Sequence, residues 1–103
     1  MITAEFKTAG NKICGFRVSG HSGYADAGAD IICSAVTSAV QLTVNAIAEK
    51  FKTKNKLFVD DNDAVIDFSF DENDERALLL AEQLFDELNA LQNDYPENIR
   101  LIK

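Results

Sequence analysis

One run of this chain concentrates its reactive side chains: Gly20-His21-Ser22-Gly23-Tyr24-Ala25-Asp26-Ala27-Gly28-Ala29-Asp30-Ile31-Ile32-Cys33. It holds the only histidine and one of the two cysteines. A thiol with a histidine at hand can become a thiolate nucleophile with its own base, the chemistry of a cysteine peptidase. Cys33 would attack a scissile carbonyl, and His21 would take its proton and later protonate the leaving amine. Asp30 precedes an apolar helical run and is a good N-cap residue. If it caps that helix, Cys33 falls at position N3, and the backbone N–H groups there, those of Cys33 and Ser34 included, are candidates to bind an oxyanion.

The helix end alone does not make this nucleophile. Its dipole is worth roughly 0.3 to 1 kcal/mol, too little to ionise a thiol at neutral pH, and the charges of Asp26 and Asp30 oppose it. A cation must therefore stand beside Cys33, and His21, returning across the glycine loop, is the candidate. Asp30 or Asp26 could orient the imidazole, although capping is the stronger claim on Asp30. Gly20, Gly23 and Gly28 would let the loop bring backbone close to a bound peptide. Tyr24, at the centre of that loop, packs either against substrate or as the loop's own anchor. Cys14 shares a predicted strand face with Phe16 and Val18, so it reads as a core residue.

Other chemistries fit less well. Cys14, His21 and Cys33 lack the short paired spacing of a zinc site, so no metal is expected. Gly23 and Gly28 have phosphate-loop spacing, but Ala29-Asp30 stand where Lys and Ser or Thr belong. The dinucleotide fingerprint is absent, and no cofactor is expected.

These residues need a scaffold. Ile2, Ala4 and Phe6 alternate with polar neighbours, and Cys14, Phe16 and Val18 repeat the pattern after the turn at Ala9-Gly10-Asn11, which predicts a β-hairpin. A helix is predicted from about Asp30 to Phe51, with a stripe of Val36, Val40, Val44, Ile47 and Phe51. Further apolar residues widen that stripe almost all round, so the helix should be buried on most sides. A second hairpin follows, Lys56 to Val59 and Ala64 to Phe70, then an amphipathic helix over Asn73 to Asn93. Pro96 excludes more helix, and Ile99 to Ile102 reads as a last edge strand. The order ββα-ββα-β predicts a single α+β domain over residues 1–103, with two helices on one face of a mainly antiparallel sheet.

The 103 residues suit one core, and 47% hydrophobic with 26% charged residues is ordinary for a soluble domain. No run of ~18 to 20 uninterrupted apolar residues suggests a membrane span, and the first residues lack a signal-peptide pattern. The expected location is the cytoplasm, with both cysteines as free thiols. A net charge of −7 argues against direct nucleic-acid binding and favours basic partners.

The same block also resembles a known family. Gly20-His21-Ser22-Gly23-Tyr24-Ala25, then Gly28, then Asp30-Ile31-Ile32-Cys33 with Ala35-Val36 is similar to the ribosomal-processing cysteine protease Prp family (YsxB-like), and the resemblance extends over the whole chain. It implies a His21–Cys33 catalytic dyad in a bacterial cytoplasmic endopeptidase. The implied reaction removes a short N-terminal extension from large-subunit ribosomal protein twenty-seven, after an aromatic residue in a hydrophobic peptide. It also implies a homodimer whose glycine loop moves over the site. The chain departs from the family pattern at Ser22 and Ser34, where Ala is common, and at Thr37, where Ser is common, which bears on fine specificity. Two other readings compete with it. One is a non-catalytic module binding a peptide or ribosomal protein through the glycine loop and acidic surface; the other is a thiol-based redox or acyl-transfer protein.

Overall fold

The computed structural model describes residues 1–20 and 27–103, with residues 27–30 described by their backbone alone. The elements are β1 (Ile2–Ala9), β2 (Lys12–Ser19), α1 (Ala27–Asn45) continued by a π-helical turn (Ala46–Lys50), β3 (Asn55–Asp60), β4 (Val65–Phe70), α2 (Glu75–Asp94) and β5 (Ile99–Ile102). This is the expected α+β order. The strands form one sheet in the order β3-β4-β2-β1-β5, antiparallel except where β5 runs parallel to β1.

Alternation along the strands sends one set of side chains to the helices. Ile2, Ala4, Phe6, Phe16, Val18, Phe68 and Phe70 enter a core shared with Ile32, Val36, Val40, Val44 and Ile47 of the first helical segment and Ala77, Ala81, Leu84 and Leu88 of α2. Phe6, Phe16 and Phe68 form an aromatic row across three strands, with centroids 5.6 and 5.5 Å apart, and Phe85 of α2 meets Phe6 edge-on at 5.2 Å. On the opposite face Asp67 accepts from Lys7 at 2.5 Å and Arg17 at 3.5 Å. Gly15 permits the close approach of β2 to β4, since a Cβ there would strike the Phe68 carbonyl.

Three sequence expectations are corrected. The β1–β2 register shifts between Lys7 and Thr8: Lys7 pairs with Gly15 and Thr8 with Ile13, so Cys14 is the extra residue of a bulge. The bulge turns Ile13 into the core, and Cys14 is left half-buried outside it. The first helix begins at Ala27, three residues before the expected cap. It is also buried on one stripe only: Ile31 and Leu42 are 70% and 69% exposed. By length and composition Ile31–Lys50 is apolar enough to cross a membrane, with a mean hydropathy of 1.6. The count of uninterrupted apolar residues missed this because Ser, Thr and Gln interrupt the run. In the fold its buried stripe packs on the sheet.

The join between the two helices is tightly made. Asp74 caps α2 by accepting from the Arg76 amide at 3.1 Å and takes the Thr53 hydroxyl at 2.6 Å. The Arg76 guanidinium reaches both Asp74 and the Phe51 carbonyl, each at 3.1 Å, and lies 5.0 Å over the Phe51 ring.

Candidate active site

Cys33 sits in a cleft of about 230 Å³ between α1 and the β3–β4 hairpin. From the helix side Val36, Thr37 and Gln41 join it. From the hairpin come Val59, Asp60, Asp61, Ala64, Val65 and Ile66, and Ile2, Val18 and Gly20 close the end. Cys33, Thr37 and Gln41 are spaced i, i+4, i+8, so α1 presents them as one row. The thiol is half-buried, packed against the core and not in a disulfide.

Gly20 closes the cleft in a way only glycine allows. Its φ is +92°, and a Cβ there would collide with the Met1 carbonyl. Its amide donates to the Ala64 carbonyl at 3.2 Å, tying the end of β2 to the hairpin turn. That turn is shaped by Asp60, whose Oδ1 accepts from the amides of Asn62 and Asp63 at 3.0 and 3.3 Å. Ala64 completes it at φ +52°, a left-handed conformation costly for a residue with a Cβ. Gly20 is thus part of the cleft wall.

The structure gives the sequence-predicted residues different fates. Cys33 and Gly20 line one cleft. His21, Ser22, Gly23 and Tyr24 lie outside the described residues, as does Asp26. Gly28 and Asp30 belong by their backbone to the first turn of α1, not to a loop and a cap. Cys33 is therefore the seventh helical residue rather than N3, and Ser34 the eighth. Their amides fall in the i→i−4 ladder, while the free N–H groups of the helix start belong to residues 27–30. The oxyanion role expected of the Cys33 and Ser34 amides does not follow from that geometry. The dipole, which fades beyond the first turn, helps Cys33 less than expected, and its need for a neighbouring cation grows.

Sequence reasoning missed the hairpin wall. Gln41 was legible in principle from its spacing to Cys33, but Val59, Asp60, Asp61 and Ala64 come from a segment remote in sequence. Both charged residues in the lining, Asp60 and Asp61, are acidic. Among the described residues, no group of three or more potential metal ligands comes together.

Comparison with known proteins places the chain in a family. The ribosomal processing cysteine protease Prp of Bacillus subtilis (strain 168) is 29% identical over 107 aligned positions, covering 98% of this chain and 96% of the relative. A crystal structure of the Staphylococcus aureus processing protease Prp with a covalently linked product peptide superposes with a TM-score of 0.89. It is 27% identical and covers 99% of this chain and 98% of that one. The same protease with a substrate peptide also gives a TM-score of 0.89, at 25% identity. The family model for cysteine protease Prp matches residues 1–100, so the chain belongs to that family and is a cysteine-type peptidase.

Proposed function

We propose that this protein is the endopeptidase that removes a short N-terminal extension from large-subunit ribosomal protein twenty-seven, with Cys33 as nucleophile and His21 as its base. The observation that carries the dyad is the shared cleft: Gly20, to which His21 is joined, lines the same cavity as Cys33. The substrate reading draws support from the relatives named for ribosomal processing and from the acidic pair Asp60 and Asp61, which suits a basic protein. His21 takes the thiol proton, and the sulfur bonds to the carbonyl carbon as the C=O electrons move to oxygen. The tetrahedral intermediate collapses, the C–N bond breaks, and His21 protonates the departing amine. Water, deprotonated by His21, then cleaves the thioester to a carboxylate and returns the thiol. The enzyme works in the cytoplasm as a homodimer, and the exposed apolar residues Ile31 and Leu42 on α1 are the surface that favours self-association.

The test is incubation with the extended ribosomal protein, followed by mass spectrometry of the new N-terminus. Cys33→Ala and His21→Ala should each lower cleavage roughly a thousandfold or more without changing the melting temperature. Cys14→Ala should cleave normally. Full cleavage by Cys33→Ala would end this reading.

A further inference from the structure

The cations of this acidic chain are not spread evenly. Lys50, Lys52, Lys54 and Lys56 stand at alternate positions where the first helical segment hands over to β3. All four are exposed, and among the described residues none makes an ion pair. Residues 50–58 hold no acidic side chain, so they form a positive strip on a chain of net charge −7. The net charge disfavours nucleic acid for the surface taken as a whole. Salt screens charges beyond a Debye length of ~10 Å, so at any one patch the local charge decides.

The strip runs into the bare face of the sheet. Phe6, Phe16, Phe68 and Phe70 enter the core beneath the helices, so their chain neighbours Lys7, Gly15 and Ser69 lie on the opposite face, which no described element covers. Lys56 pairs with Ser69, Ser69 with Gly15 and Gly15 with Lys7, which sets the four in one row. Two small residues between two lysines leave a shallow trough about 14 Å across, at ~4.8 Å per strand. Phe58 stands beside it, paired with Asp67. It is 59% exposed, and among the described residues no other ring packs on it. The charge of Asp67 is met by both Lys7 and Arg17. At the end of the trough is a cavity of about 350 Å³ lined by Lys54, Asn55, Lys56, Ser69, Phe70 and Asp71. The Asp71 carboxylate serves its own loop, accepting from the Asn73 amide at 3.0 Å.

We infer that this bare face along β3 and β4 docks single-stranded RNA, with Lys54 and Lys56 on phosphates and Phe58 stacked on a base. Cations beside an exposed ring match a single strand, whose phosphates are negative and whose bases each offer a flat face. A duplex hides those faces, and an acidic peptide would satisfy the lysines but not the ring. The choice of RNA over DNA rests on the proposed ribosomal substrate, since RNA is the polyanion such a protein accompanies. The same hairpin turns Val59 and Ile66 the other way, into the cleft of Cys33. RNA and peptide therefore lie on opposite sides of β3–β4 and bind together. The docked strand raises the enzyme's concentration around a ribosomal protein already on RNA, without touching the reacting atoms.

The probe is a fluorescently labelled single-stranded RNA of mixed sequence, titrated with the wild-type protein and read by anisotropy. Binding should weaken up to about fiftyfold between ~50 and ~200 mM salt, the response of about four phosphate contacts. Lys56→Glu should weaken binding about tenfold or more and make the salt dependence shallower. Phe58→Ala should weaken it about fivefold or more with the salt dependence unchanged, the mark of a stacking contact. Lys103→Glu is the control for net charge: Lys103 lies over the Phe85 ring of α2, and the same charge change there should matter less than about threefold. Lys56→Glu should cleave a free peptide substrate at the wild-type rate. No binding by the wild type at ~50 mM salt would overturn the inference, as would equal weakening by Lys56→Glu and Lys103→Glu. Tighter binding of duplex RNA or of a DNA strand of the same sequence would overturn it too, and so would an unchanged affinity in Phe58→Ala. Self-association dispersed by Lys56→Glu, in a protein that binds no RNA, would assign the lysines to a second copy and overturn it. RNA binding is read without substrate, so a failed cleavage assay strikes the proteolytic reading alone.

Discussion

α2 and α1 solve opposite problems with similar lengths of helix. α2 is capped by Asp74, buries Ala77, Ala81, Leu84 and Leu88 on one stripe and gives charged residues to solvent. α1 carries no charged residue from Ile31 to Ala48 and exposes Ile31 and Leu42. It ends in a π turn where the Phe51 amide reaches the Ala46 carbonyl at 2.9 Å, and the chain then leaves through Lys52 at φ +55°. Hydrophobic burial rewards most of the apolar sequence of α2, with Leu79 left exposed, whereas α1 exposes Ile31 and Leu42 on a helix almost without charge. Apolar surface left exposed on the helix that carries Cys33 is open to a partner. On the proposed function, the difference separates a half of the domain that chiefly holds the fold together from a half that contributes to the core and also meets other molecules.

If that division is right, damage to the α2 side should cost stability and leave chemistry alone. Leu88 is fully buried, so Leu88→Ala should lower unfolding free energy by ~2–5 kcal/mol in urea titrations. The cleavage rate of the folded fraction should stay at the wild-type value. A smaller loss of stability accompanied by a lower kcat would show that α2 supports the site directly and would break the comparison.

The two cysteines sharpen the same contrast. Both are half-buried free thiols, one on a strand bulge and one in the cleft. On the proposed dyad, Cys33 should react with iodoacetamide at pH 6.5 more than tenfold faster than Cys14, about 1.4 kcal/mol in barrier. Peptide mapping by mass spectrometry reads both sites in one sample. In His21→Ala the two rates should converge; equal rates already in the wild type would remove the activated thiolate.

What could be read in advance follows how local its cause is. Alternation at Ile2, Ala4 and Phe6 and the helical spacing from Val36 to Ile47 are properties of short segments, and the elements they predicted are present. The bulge at Cys14 depends on how β2 aligns with its neighbours, which no single strand encodes, so Ile13 and Cys14 exchanged environments. The start of α1 was misplaced because Ala27-Gly28-Ala29 contains a glycine and follows a glycine-rich run, a pattern that favours loop over helix. Cys33 was legible as a candidate nucleophile because that chemistry is carried by residue type. The opposite wall of its cleft was not, because Val59, Asp60 and Asp61 reach Cys33 only through tertiary packing. The edge position of β3 likewise depends on the parallel pairing of β5 with β1 at the other end of the sheet.

The weakest expected effect concerns the cap that anchors α2 to the end of α1. Hydrogen bonds from the Arg76 side chain, then from Thr53, hold the Asp74 carboxyl well below the usual carboxylate range. A group whose folded-state pKa is depressed stabilises the fold above its unfolded value, near 3.9, and that contribution is lost as the pH falls toward the folded value. Asp74→Ala should therefore melt below wild type at pH 7, by a margin that shrinks steadily as the pH is lowered beneath about 4. Arg76 is 60% exposed, so water and salt screen its share, and the difference should narrow in high salt without vanishing. The remainder is the uncharged part of the cap, the bonds to the Arg76 amide and the Thr53 hydroxyl. Cleavage should be indifferent to the substitution at every pH where both proteins are folded. A rate change in Asp74→Ala would mean that the junction between the helices also sets the position of α1, and with it Cys33.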